Sequence, residues 1–290
     1  MTTAIARIGR SSTTVARDDE AAAIAGLAVH CLELEVETYP KPGLVSPFDS
    51  GSHADMDVAT FRRSAMAIRR YFAALAAAGA QGCGMGRLRV IGLEAEAAML
   101  AATGGINTHR GAIFGLGLLC VAAGARTVDD DDRAASLGAI VARRWGDDIL
   151  RGPALLHSHG GAARRRYGAG GARLEAAHGF PSVYEVGLPA LQHGAVMSAG
   201  DDEAARVQAC FALIATVEDT NLLHRGGVDG LRFAQRSAQL FLDEGGVGRR
   251  DWRERAASVH RAFVARRLSP GGTADLLAMS LFVEACEARV

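Results

Sequence analysis

The sequence predicts an all-α protein, a single compact multi-helix domain with Gly-rich loops. Three observations carry this reading. Apolar residues recur at helical spacing through most of the chain. Few runs alternate with the period of two that a half-buried strand requires. Glycine-rich punctuation separates the periodic stretches, and no internal repeat or linker divides them.

Asp18 and Asp19 can cap a first helix with Ile24, Leu27, Ala28, Cys31 and Leu34 on one face. It should run to about Glu37 and stop before Pro40, because a residue preceding proline is pushed out of the α region. Residues 1–18 are expected as a flexible tail and 19–290 as one domain. Residues 58–78 carry Val58, Phe61, Ala65, Ile68, Phe72 and Leu75 at helical spacing, ending at Gly79. Residues 88–102 form a third helix closed by Gly104 and Gly105, and "GCGMG" at 82–86 reads as a loop. Residues 111–123 are apolar on all sides and read as a buried helix. The four aspartates at 129–132 are expected to cap the helix through Trp145, where the macrodipole favours negative charge, and not to bind metal. Between 151 and 191 glycines cluster and periodicity weakens, predicting loops, short helices and part of a site. Residues 203–217, 231–242, 252–267 and 274–288 resume helical spacing.

Hydrophobic residues make up 49% of the 290, ample for a large core. Basic and acidic side chains balance to a formal charge of +0, which removes any global electrostatic case for nucleic acid or an anionic membrane. No apolar run approaches the ~20 residues of a membrane span, and the first residues lack the apolar core of a secretory signal. Cys31, Cys83, Cys120, Cys210 and Cys286 are scattered and odd in number. They fit reduced thiols in a cytoplasmic protein better than a disulfide framework or a zinc site.

Three stretches carry chemistry. The first, "ELEVETYPKPGLVSPFDSGSHADMD", holds Glu37, Lys41, His53, Asp55 and Asp57 in a stiff loop whose Pro42, Gly43 and Ser52 let backbone approach a ligand. Glu33 and Glu35 read as a solvated helix face. Lys41 is the only lysine of the chain. In the second, "ATGGINTHRGAIF", Asn107, Thr108, His109, Arg110 and Gly111 open a buried helix, where exposed N–H groups and a guanidinium make an anion site. In the third, "VEDTNLLHRGG", Glu218, Asp219, Asn221 and His224 are expected to end a helix ahead of Arg225, Gly226 and Gly227. Asp219 and Asn221 are hard oxygen ligands suited to Mg2+. His157 and His159 form a nonspecific HxH pair. Ser269, Thr273 and Asp275 surround a Gly-Gly helix start that capping alone explains. No P-loop, strand-linked GxGxxG or GxSxG elbow occurs.

Together with "GARLEAAHGFPSV" and "LSPGGTADLLA", these stretches resemble the triphosphoribosyl-dephospho-CoA synthases, over residues 20–290 and in that family's order. The resemblance implies an all-helical transferase that joins ATP to 3′-dephospho-CoA and releases adenine. It implies that another enzyme passes the product to an acyl-carrier subunit, and "NTHRGAIF" and "TNLLHRGG" resemble the malonate decarboxylase branch more than the citrate lyase branch. A ribose hydroxyl attacks C1 of the ATP ribose through an oxocarbenium-like transition state. A β-linked substrate and an α-linked product imply inversion in a single displacement. Under that resemblance Glu37, Asp55 and Asp57 are candidates for base and metal ligand, with Asp219 and Asn221 as further ligands for Mg2+. Lys41, Arg110 and Arg225 would neutralise the triphosphate; Asn107, Thr108 and His109 would position phosphate or ribose; His53 or His109 would assist adenine departure. A homo-oligomer is compatible with all of this. The rival readings are a Mg2+-dependent nucleotide N-glycosyl or ADP-ribosyl hydrolase, and a non-catalytic carrier-protein assembly factor.

Overall fold

The computed structural model describes residues 12–152 and 170–288. Among the described residues the chain forms twelve α-helices and no strand. They are α1 (Ser12–Glu37), α2 (Val58–Ala80), α3 (Met85–Thr103), α4 (Arg110–Arg126), α5 (Asp130–Arg133), α6 (Leu137–Arg151), α7 (Gly171–Ala177), α8 (Leu188–Met197), α9 (Asp202–Thr216), α10 (Thr220–Asp243), α11 (Trp252–Ala265) and α12 (Gly271–Glu287). A π-helical turn, Ser182–Gly187, leads into α8, and a 3₁₀ turn, Gly246–Gly248, precedes α11. No described helix is long and apolar enough to cross a membrane, and all five cysteines are free thiols.

α4 lies at the centre because its sequence has no polar face to offer water: every residue from Gly115 to Ala125 is buried. α2 packs along it at very short range. A Cβ at Gly79 would overlap the Val121 backbone, and one at Gly124 would overlap the Ala76 backbone, so two glycines set this spacing. α12, buried through Val283, packs against α4, α1 and α9 and ties the two halves of the chain together. α3 and α6 flank the first half; α8 and α10 pack on α9 in the second.

Three expectations are corrected. α1 begins at Ser12, ahead of Asp18 and Asp19; residues 1–11 of the expected tail lie outside the described residues, as do His157 and His159. The aspartate run does not cap the helix through Trp145. Asp129 caps the separate α5 by accepting the Asp131 N–H, while Ser136 caps α6. Asp132, fully buried, pairs with Arg143 and Arg144, a partnership no local pattern announces. Residues 218–224 do not end a helix: Val217 is extended, and Asp219 caps the start of α10, accepting N–H bonds from Asn221 and Leu222 at 2.8 and 3.3 Å. α10 then kinks at Gly227, whose φ of 61° breaks the helical path before residue 228.

Candidate active site

The N-termini of α4, α10 and α12 converge on one cavity of about 960 Å³, lined in part by Arg110 and Gly111, Asp219 to Asn221, and Gly271 and Gly272. Three helix starts bring their positive macrodipole ends to one space, an environment suited to negative charge. Two carboxylates stitch them together. Asp219 caps α10 and also accepts the backbone N–H and the hydroxyl of Thr273 in α12, at 2.8 and 3.1 Å. Asp275, one turn into α12, lies against the first turn of α4, where the Ala112 N–H favours its anion. A Cβ on Gly111 would overlap the Asp275 carboxylate, so glycine at 111 makes this contact possible.

The loop after α1 and the loop before α12 make a second wall. Ser52 Oγ donates to the Leu268 carbonyl at 2.6 Å, and Arg225 Nη1 donates to the carbonyls of Ser52 and Arg267 at 3.1 and 3.2 Å. Arg225 Nη2 lies 3.2 Å from His53 Nδ1, and His53 Nε2 lies 2.9 Å from Ser269 Oγ. A guanidinium only donates, so Nδ1 accepts and Nε2 carries the proton given to Ser269. Burial, reinforced by the Arg225 charge, pulls the His53 pKa down to about 4. Burial and loss of hydration also lower Arg225 from its ordinary value, partly offset by Asp55. Asp55 stands on the cavity 3.8 Å from His53 Nδ1.

On the α2–α4 side, Thr108 Oγ1 donates to Ser64 Oγ, which lies 2.7 Å from His109 Nδ1. Phe61 meets the His109 ring edge-on. Burial alone drives the His109 pKa to about 3, so the ring is neutral at physiological pH and holds no spare proton for a leaving group.

The single lysine does not reach the cavity. Lys41 is 1% exposed, and its ammonium donates to the Glu35 carboxylate and to the Glu35 carbonyl. Glu35, 4% exposed, is therefore no solvated residue: it sits on the buried stripe of α1 that runs through Ala28 and Leu32, and its carboxylate borders the cavity. His260 fastens the same loop through Nδ1, 2.7 Å from the Lys41 carbonyl. Gly43, with φ of 69°, packs where a Cβ would strike the Leu268 carbonyl.

Of the residues expected from sequence, His53, Asp55, Asn107, Thr108, His109, Arg110, Gly111, Asp219, Asn221 and Arg225 line the cavity. Lys41, Pro42, Gly43, Ser52, Gly226 and Gly227 do not line it. Glu37 is half-exposed and paired with Arg62 at 2.9 Å, and Asp57 caps α2 by accepting the Thr60 N–H and hydroxyl at 2.8 and 2.7 Å; neither borders the cavity. The four expected magnesium ligands, Glu37, Asp57, Asp219 and Asn221, are thus not brought together. Among the described residues no three His, Cys, Asp or Glu side chains form a metal-holding group. Oxygens already accepting N–H bonds make a poor preformed cage for a cation.

Sequence reasoning missed Ser64, Arg89, Glu96 and the roles of Glu35 and Asp275. Glu96 holds Arg110 at 2.9 Å. Arg173 donates to the carbonyls of Leu150 and Gly152 at 2.9 and 2.7 Å, and so closes the end of α6 at the cavity edge. Arg89, exposed at the rim beside Gly152, has no ion-pair or hydrogen-bond partner among the described residues.

Fold and site define an all-α protein whose cavity combines carboxyl groups, guanidinium groups and helix starts. A profile described as CitG, ATP:dephospho-CoA triphosphoribosyl transferase, matches residues 21–290. The chain is 41% identical over 283 residues to a probable 2-(5′′-triphosphoribosyl)-3′-dephosphocoenzyme-A synthase of Stutzerimonas stutzeri, covering 94% of this chain and 95% of that protein. It is 43% identical over 264 residues to the 2-(5′′-triphosphoribosyl)-3′-dephosphocoenzyme-A synthase of Pectobacterium atrosepticum, covering 87% and 85%. A probable synthase of Acinetobacter calcoaceticus is 39% identical over 262 residues, covering 89% and 88%. No solved structure matches the chain. The chain belongs to the ATP:dephospho-CoA triphosphoribosyl transferase family.

Proposed function

We propose that the chain transfers the triphosphoribosyl group of ATP to 3′-dephospho-CoA, releasing adenine and forming 2′-(5″-triphosphoribosyl)-3′-dephospho-CoA. The observation that carries this reading is the convergence of three helix N-termini, with carboxyl and guanidinium groups, on a cavity large enough for a nucleotide. Arg110, Arg225 and Arg89, the last without a partner among the described residues, face the phosphates. Asn107, Thr108 and Asn221 orient phosphate or ribose. His53, neutral and held by Arg225 and Ser269, orders the loop that carries Asp55. Of the three carboxylates proposed as base, Asp55 alone borders the cavity, and it accepts the proton of the attacking hydroxyl. Mg2+ arrives on the ATP triphosphate instead of occupying a cage built beforehand by protein side chains.

The test is adenine release from ATP, followed by chromatography with and without dephospho-CoA. Release that depends on dephospho-CoA, with a product carrying both nucleotides, supports the reading. Release without it, yielding free ribose triphosphate, identifies a hydrolase. No release at all leaves a binding protein.

We assign the product to the malonate decarboxylase acyl carrier, in the cytoplasm, on the strength of "NTHRGAIF" and "TNLLHRGG". Expression that rises on malonate and not on citrate supports that branch; the reverse assigns it to citrate lyase. Gel filtration reports whether the chain works as a homo-oligomer.

A further inference from the structure

Three acidic residues, Glu35, Asp219 and Asp275, border the same cavity, and the charges of the first two bear on the third. Their surroundings differ. Glu35 has the Lys41 ammonium. Asp219 accepts three backbone N–H groups and one hydroxyl, the full support of a carboxylate anion. Asp275 has one amide, that of Ala112, and no cation. It lies deep in the molecule yet keeps accessible surface, because it faces the cavity. Buried like charges that act on one another disfavour full ionisation, and the proton is held by the acid whose anion is least supported. On hydrogen bonding alone that acid is Asp275.

We propose that the Asp275 carboxyl is the general acid that protonates the departing adenine. The inference rests on the transfer reaction proposed above and names a group for its leaving-group half. The C1–N9 bond breaks and its electron pair enters the adenine ring. The carboxyl O–H passes its proton to a ring nitrogen, so the base leaves neutral. The 2′-hydroxyl of dephospho-CoA bonds to C1 and loses its proton to the base, Asp55. One proton is taken up and one is given, leaving Asp275 ionised until solvent or product exchange returns the proton. Burial raises the Glu35 pKa, the Lys41 ammonium opposes that rise, and Glu35 in this pair supplies negative charge near the developing sugar cation.

Burial, reinforced by Glu35 and Asp219, holds the Asp275 carboxyl far above the usual carboxylate range, against the opposing pull of the Ala112 N–H. A protonated carboxyl at neutral pH is what an acid for a purine leaving group needs. Glycine at 111 belongs to this arrangement, since any side chain there would displace the carboxyl.

The experiment compares ATP with N7-methyl-ATP, whose base is already cationic and leaves without a proton. In wild-type protein with dephospho-CoA, both lose their base. In Asp275→Asn, which keeps the size and the acceptor for Ala112, adenine release should fall by about 10²–10⁴-fold, while N7-methyladenine release falls less than about tenfold. Equal losses on both substrates, or no loss on either, overturn the assignment. The Asn variant exchanges a neutral carboxyl for a neutral amide of the same size, so its melting temperature should stay close to that of wild type. Asp275→Glu restores an acid and should recover part of the adenine release; no recovery, in a variant that still binds dephospho-CoA, counts against the assignment. Wild-type protein that releases no adenine with dephospho-CoA present overturns the transfer reading itself, which separates the two failures.

Discussion

Lys41→Met removes a buried ammonium and keeps most of its apolar stem. Glu35 is then left in the interior with no counter-charge. Removing one partner of a buried pair costs about 3–5 kcal/mol, because the remaining charge is neither hydrated nor paired. Glu35 limits that loss by taking up a proton. From its ordinary pKa of 4.5, protonation at pH 7 costs about 3.4 kcal/mol, and at pH 5 about 0.7 kcal/mol. The folded variant thus binds a proton that the unfolded chain has released, so its deficit grows as pH rises above about 4.5 and shrinks as pH falls towards it. Urea unfolding should show a loss of about 3 kcal/mol at pH 7 and under about 1.5 kcal/mol at pH 5. The melting temperature at pH 7 should drop by roughly 5–10 °C. Adding Glu35→Gln removes the orphaned charge and should restore most of the loss. Lys41→Met within about 0.5 kcal/mol of wild type at both pH values refutes the buried pair. So does a raised KM for ATP at unchanged stability, which is the signature of a lysine on a phosphate.

The other expectations are as follows. His53 and His109 are held near pKa 4 and 3, below their unfolded value, so they contribute stability above about pH 6.5 that is lost as pH falls towards those values; NMR titration should show neither ring protonating between pH 6 and 8. Glu37→Ala should leave turnover within about twofold, and Asp57→Ala should cost about 1 kcal/mol as a lost helix cap without abolishing turnover; collapse of turnover in folded protein returns either residue to the active site. Arg89→Ala should raise the KM of one phosphorylated substrate about tenfold, the effect of a charge-assisted hydrogen bond, with an unchanged melting temperature. Dialysis against a chelator should leave the melting temperature unmoved, because among the described residues no three His, Cys, Asp or Glu side chains form a metal-holding group; a large downward shift identifies a structural ion.

Helical periodicity is sufficient for the architecture because the twelve helices of the described residues bury their faces against one another and apolar spacing records that burial directly. The 111–123 prediction succeeded for this reason: a helix apolar on every side has only the centre of the molecule to occupy. The same logic failed at 218–224. Asp, Asn and Gly occur at helix starts and stops alike, and only the extended Val217 and the bonds accepted by Asp219 distinguish them. Motif clustering located the cavity through Asn107 to Gly111, Asp219 and Arg225, whose neighbours in sequence are also neighbours in space. It could not rank carboxylates by role. Glu37 and Asp57 look catalytic beside Lys41 in the chain, yet one points at Arg62 on the surface and the other is taken up by the first turn of α2.

The lone lysine shows what was missing from the sequence and what was present. Its uniqueness in an arginine-rich chain marks a site that excludes a guanidinium, and a buried slot between a carboxylate and a carbonyl does so by size. A slot shaped by protein and a slot shaped by phosphate make the same demand, so residue type alone cannot separate them. One local signal could have: Glu35 follows Ala28 by seven residues on the apolar stripe of α1, where a carboxylate needs a buried cation six residues or a whole fold away. Pairing Lys41 with Glu35 then changes the charge count of the cavity. Three acids with one ammonium cannot all ionise, and the acid left holding a proton is Asp275. The lysine therefore acts on the substrate at one remove, through the acid it leaves unneutralised.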